Sequence, residues 1–191
     1  MMSKKLSFTD QIKKLDLLTK KAKLREKSTN IVDKIGVVTI YSSAIDFALI
    51  QAGRLLEQII LKKQLSTGTP TFKPHEDDWF FDQQIRSRKI ITEIKKCLPF
   101  TTTKSEEEDI VKNINELGKE FLKESDKFLT LRNKLMHHLF SPKYDLNKIL
   151  LTTEKTILQY HKVIDTYKNF TQVVYPYRFS DKEIKYFYGS S

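Results

Sequence analysis

The sequence predicts an all-α fold: an up-and-down bundle of four to five helices, read as a single domain over residues 1–191. Three observations predict it. Apolar residues recur every three or four positions along most of the chain, the spacing of helices that bury one face. Serine followed three residues later by an acid, the capping-box pattern, stands at Ser7 with Asp10, Ser105 with Glu108 and Ser180 with Glu183. Only 5 Gly and 5 Pro occur in 191 residues, too little turn punctuation for a many-stranded β protein.

The first helix follows from Phe8, Ile12, Leu15, Leu18 and Ala22, with Lys13, Lys14, Lys20, Lys21 and Lys23 mostly on its wet side. From about Ile31 to Leu61, Ile35, Val38, Ile45, Phe47, Leu49, Leu55, Leu56, Ile59 and Ile60 occupy more than one face, which makes this helix central. The stretch "STGTPTFKPHEDDW" is a long loop, about residues 65–79. A third helix spans about Phe80 to Leu98 and stops at Pro99. The stripe Ile110, Ile114, Leu117, Phe121, Phe128, Leu135 and Leu139 defines a long fourth helix, with Gly118 as a place to bend and Ser141-Pro142 as its end. Asp145 caps the next helix, which carries Leu146, Ile149, Leu150, Ile157, Ile164 and Phe170 on one side. An aromatic and basic tail, about residues 174–191, closes the chain, and its Tyr and Phe residues favour packing over contact with RNA.

The chain carries 34 Lys+Arg against 24 Asp+Glu, a net charge of +10. Such a balance concentrates polyanions around the protein, but 28 of the cations are Lys and only 6 are Arg, so solubility explains it equally well. The single Cys97 cannot form an internal disulfide and sits among Ile94, Leu98 and Phe100, which fits a buried thiol in a reducing cytoplasm. The N-terminus has no uninterrupted apolar run. "VVTIYSSAIDFALIQAG" is broken by Ser42, Ser43 and Asp46 before membrane-spanning length, so no membrane partner is expected.

The fourth helix ends on "TLRNKLMHHLF", where polar residues interrupt an apolar stripe. At about 100° per residue, Arg132 falls within about 40° of the stripe centre, whereas His137 falls roughly opposite, about 140° from Arg132. The two cannot share one small ligand unless the helix loosens before Ser141 or a second subunit brings its own copy. His138 lies on the flank of the stripe and reads as a packed or capping residue. Asp46, Arg54 and Glu57 are charges in an apolar helix and must be paired; Arg54 and Glu57 are one turn apart, leaving Asp46 as a partner for Arg132. His161 lies beside Ile157 and Ile164 and reads as structural.

Arg132-Asn133-x-x-x-His137 resembles the R-N-x-x-x-H form of the R-x(4–6)-H motif of HEPN domains. Spacing alone would arise by chance about 0.4 times in such a chain, and about 0.01 times once Asn is required after Arg. The resemblance implies a small helical bundle, often a homodimer, acting as a metal-independent ribonuclease in toxin–antitoxin, phage-defence or CRISPR systems. RNA, a second copy of the chain, and a protein antitoxin or regulator are the partners it implies. In HEPN toxins paired with a nucleotidyltransferase, a tyrosine two residues after the histidine is modified. Leu139 holds that position here, and Tyr144 is too far along to replace it, so the resemblance does not carry that pairing.

RNA supplies its own nucleophile, the 2′-hydroxyl, so cleavage needs a proton-transfer group and a cation for the phosphorane. Imidazole, with an unperturbed pKa of about 6.5, suits the first task, and the planar guanidinium suits the second. By resemblance His137 is the proton-transfer group and Arg132 the phosphate stabiliser. Asn133 fixes the helix end or binds phosphate, with Asp46 and His138 in support. No cofactor or metal motif is recognisable; "HEDD", residues 75–78, reads as an exposed acidic turn because consecutive ligands point apart. The rival reading is a non-catalytic helical interaction module that binds protein or nucleic acid.

Overall fold

The computed structural model describes residues 8–67, 87–98, 108–178 and 180. The loop expected at 65–79 with its HEDD run falls outside them almost entirely. So do the capping partners Ser7, Ser105 and Glu183 and the tail beyond Ser180. Among the described residues the protein is all-helical, without a strand: α1 (Phe8–Arg25), α2 (Ile31–Thr67), α3 (Ser87–Cys97), α4 (Glu108–Phe140) and α5 (Leu146–Val174), followed by a 3₁₀ turn (Tyr175–Tyr177). The helical bundle expected from the periodicity is therefore present, with five α-helices among the described residues.

Local chemistry explains the helix starts. Asn30 Oδ1 accepts from Val32 N–H at 2.8 Å, which caps α2. Asp145 Oδ1 accepts from Lys148 N–H at 2.8 Å and caps α5, as its position before an apolar run predicts. Helix α2 runs further than expected, to Thr67. The serines do not break it, because Ser42 Oγ donates to Val38 O at 2.9 Å and Ser43 Oγ to Thr39 O at 3.4 Å, so their hydroxyls are satisfied within the helix. This corrects the expectation that the apolar run stops short: by length and composition α2 is long and apolar enough to cross a membrane, while half of its most apolar stretch is buried inside the protein.

Packing divides into two compact units, and α2, α4 and α5 each contribute to both. One comprises Met1–Asp46 and Lys127–Lys162. Its core holds Val37, Val38, Tyr41, Ile45, Phe128, Leu129, Leu135, Ile157 and Tyr160. Within it Phe128 meets Tyr160 and His138 meets Thr152, so α4 and α5 run antiparallel from their connecting turn. Tyr41 stacks on Tyr160 at 3.6 Å and Lys34 pairs with Glu154 at 2.6 Å, so α2 runs parallel to α5.

The other unit comprises Phe47–Asp126 and Val163–Ser191. Phe121 and Phe170 stack at its centre with centroids 6.0 Å apart, among Leu49, Ile50, Leu56, Ile90, Ile94 and Leu98. Gly118 lies in this contact. A Cβ there would stand 2.5 Å from Leu98 Cδ2 and 3.2 Å from Phe170 Cε2, so glycine serves close approach, the reading that the expected bend did not contain.

Of the stripe expected on α5, Ile149, Ile157 and Phe170 are buried and Leu146 is exposed; Thr152, Thr153, Thr156 and Gln159 are buried as well, and Leu151 and Leu158, outside that stripe, are exposed. Each of those threonines donates to the carbonyl four residues back, at 2.7–2.8 Å, which hides the hydroxyl and lets the methyl pack. On α1, Ala22 is buried as expected whereas Leu18 is exposed.

Candidate functional site

The motif residues lie on about the last two and a half turns of α4, in the first unit. The helix stays α-helical to Phe140, so it does not loosen before Ser141. Arg132 and His137 therefore remain about 140° apart, separated by about 7.5 Å along the axis. The structure places Arg132 half-buried and His137 and Asn133 exposed, and within one chain it does not bring Arg132 and His137 together.

Arg132 Nη1 stands 4.0 Å from Asp46 Oδ1 on α2, with the two side chains 27% and 20% exposed. This is the partnership expected from a charge in an apolar helix, and it turns one edge of the guanidinium toward a fixed anion. Asn133 Oδ1 accepts from Arg132 Nε and Nη2 at 3.4 Å each, long contacts that leave the Asn133 side chain at the surface.

Adjacent residues on a helix point about 100° apart, so the two histidines have opposite surroundings. His138 is only 3% exposed. Thr152 Oγ1 donates its one hydrogen to Lys148 O at 2.8 Å, so it accepts from His138 Nδ1–H at 3.1 Å, which sets the tautomer. Tyr144 covers the imidazole with centroids 4.0 Å apart, and Lys148 Nζ stands 4.9 Å from the centre of the Tyr144 ring. Burial, then the charges of Lys134, Lys148 and His137, lowers the His138 pKa below the ordinary imidazole value. His138 is a packed, neutral residue that ties the end of α4 to the start of α5.

An outward stripe accompanies His137. Asn133, Met136, His137 and Phe140 share one face of α4, and Met136 and Phe140 are 45% and 81% exposed. Large apolar groups are left in water around an ionisable side chain.

A second cluster was not foreseen. Glu26, just after α1, accepts from Tyr41 Oη and, at 2.9 Å, from His161 Nε2. Tyr160 stacks beneath Tyr41, and His161 packs edge-on to both rings. Burial, followed by the Glu26 contact, raises the Tyr41 pKa, and burial pushes Tyr160 up to about 12, so neither phenol is a nucleophile near neutral pH. His161 is thus held as part of a structural junction of α1, α2 and α5. The sequence offers no local signal for it, because the two partners of Glu26 lie 15 and 135 residues from it.

Cys97 is half-buried, and burial, then Glu57 and Glu93, pushes its thiol up to about 12, so it is no nucleophile. Among the described residues no group of three or more His, Cys, Asp or Glu converges as a metal-ion ligand set. Comparison with protein-family models, curated proteins and solved structures gave no match.

Proposed function

We propose that the protein is a cytoplasmic, metal-independent endoribonuclease of HEPN type, acting in phage defence or as the toxin of a toxin–antitoxin pair. The observation that carries the reading is that one helix end bears both groups the chemistry needs, an anchored guanidinium at Arg132 and, about 140° around the helix, an exposed imidazole at His137.

In the proposed reaction the RNA 2′-oxygen attacks the adjacent phosphorus. Its proton passes to imidazole, the bond from phosphorus to the 5′-oxygen breaks, and that oxygen takes up a proton. The products end in a 2′,3′-cyclic phosphate and a 5′-hydroxyl. Arg132 balances the charge that develops on the non-bridging oxygens, which its planar donor fork suits. Asn133, exposed and in long contact with Arg132, either fixes the helix end or hydrogen-bonds the phosphate in this reading.

The 140° between Arg132 and His137 calls for a second copy of the chain, whose His137 meets the Arg132 of the first. Exposed Met136 and Phe140 on the His137 stripe supply apolar surface for such a contact, and so do Leu151 and Leu158, one heptad apart on α5. A two-fold axis would then create two equivalent composite sites.

The test is incubation of mixed RNA in EDTA with the wild type, His137→Ala and Arg132→Ala. Cleavage by the wild type, with cyclic-phosphate ends, and its loss in both variants is expected. An inactive wild type, or undiminished cleavage by both folded variants, overturns the reading.

A further inference from the structure

We propose that Lys134 and Lys148 hold the phosphodiester backbone of single-stranded RNA beside His137, an inference that rests on the RNA-directed reading of that histidine and names its substrate contacts. Lys134 is exposed on α4 three residues before His137 and four before His138, so its Cβ lies about 5–6 Å from each of theirs. Lys148 arrives from α5. It is one turn before Thr152, the residue that accepts the His138 Nδ1–H, and its ammonium is held 4.9 Å from the centre of the Tyr144 ring. Two helices thereby bring two lysines to the surroundings of one buried imidazole, next to the exposed His137.

After burial, the charges of Lys134, Lys148 and His137 also oppose protonation of His138. The turn Ser141–Asp145 adds exposed Lys143 and contains a single carboxylate, Asp145, which is directed at the start of α5 through Lys148 N–H. Positive charge concentrated here favours an anion, and Tyr144, already engaged by His138 and Lys148, does not offer a free ring for a base to stack on. Lysine acts on phosphate as a mobile point charge without reading sequence. The contacts expected are therefore to the phosphodiester backbone, whatever its sequence, and they orient the scissile phosphate toward His137.

The probe is a fluorescent single-stranded 2′-O-methyl oligonucleotide, which lacks the attacking hydroxyl and reports binding whether or not the protein cleaves RNA. Its affinity is followed by anisotropy over a series of salt concentrations for the wild type, Lys134→Gln, Lys148→Gln, the double variant and a control, Lys119→Gln, about four turns away on α4. Each phosphate contact to a single strand contributes about 0.7 to the slope of log K against log salt, so the slope should fall by about 0.7 in each single variant and about 1.4 in the double. It should stay unchanged in Lys119→Gln, with circular dichroism of all variants like wild type. No binding by the wild type at low salt, an unchanged slope in the double variant, or an equal fall in the control overturns the proposal. Binding that behaves as expected while unmodified RNA stays intact would remove the ribonuclease reading alone.

Discussion

Mixing two inactive variants tests whether the site spans two subunits. Arg132→Ala and His137→Ala should each lower cleavage by about 10²–10⁴-fold, the usual worth of a proton-transfer group or a phosphate-stabilising donor. In a composite dimer each site takes Arg132 from one chain and His137 from its partner. A heterodimer of the two variants then carries both lesions in one site and none in the other. Random exchange in an equal mixture makes half of the dimers heterodimers, so activity should return to about a quarter of wild type.

The need for two subunits follows from the helix. Arg132 turns to Asp46 on one side of α4 and His137 faces water, about 140° away and about 7.5 Å along the axis. Both groups must come within about 3 Å of the same phosphate region, which the 10–12 Å breadth of a helix prevents within one chain. The assay is cleavage of a quenched fluorescent RNA after the variants have been mixed and allowed to exchange, with light scattering to follow dimer formation. Activity in the mixture no higher than in either parent, with dimers present, would refute the geometric reasoning.

Asp46→Asn removes the anchor of Arg132. A pair 4.0 Å apart with both side chains part-exposed is worth about 0.5–1 kcal/mol net, so the melting temperature should fall by only about 1–4 °C, while kcat falls about tenfold or more with KM nearly kept; an unchanged kcat would show that the guanidinium needs no anchor. Gly118→Ala gains about 1 kcal/mol of helix propensity but forces a Cβ to 2.5 Å from buried Leu98, an overpacking of about 1–3 kcal/mol; urea unfolding should show a net loss, and a gain would mean that Leu98 moves aside freely. His138 is neutral in the fold with its pKa below the unfolded value of about 6.5, so its contribution is complete above that pH and is lost as pH falls toward the folded value. Stability measured between pH 5 and 7 should therefore slope more steeply in wild type than in His138→Phe, and equal slopes would exclude His138 as the source.

What sequence could and could not show follows from the range of the interactions. Periodicity and capping act over one or two turns, so the Asp145 cap and the α4 terminus at Phe140 were legible to the residue. The Asp46–Arg132 pair was also legible, although 86 positions separate them, because a charge in an apolar helix demands a partner and few candidates existed. The Glu26 junction was not, since nothing near Glu26 signals that Tyr41 and His161 will converge on it. The buried threonines of α5 were not legible for another reason. A threonine that donates to its own helix behaves as a small apolar residue, so Thr152, Thr153 and Thr156 are buried beside Ile149 and Ile157, while Leu146 of the expected stripe is exposed.

The adjacent histidines now have a physical division of labour. Because neighbours on a helix differ by about 100°, a pair placed at the rim of a buried face sends one ring in and the other out. His138 goes in, where it gives its Nδ1 hydrogen to Thr152, lies under Tyr144 and fixes the end of α4 to the start of α5. His137 goes out, on a helix end that its neighbour ties to α5. A proton-transfer group needs solvent or substrate access, yet it also needs a position held within about half an ångström. One imidazole cannot be both a buried strut and an exposed base; if His137 is the base of the proposed reaction, two consecutive histidines on this helix divide the two demands between them.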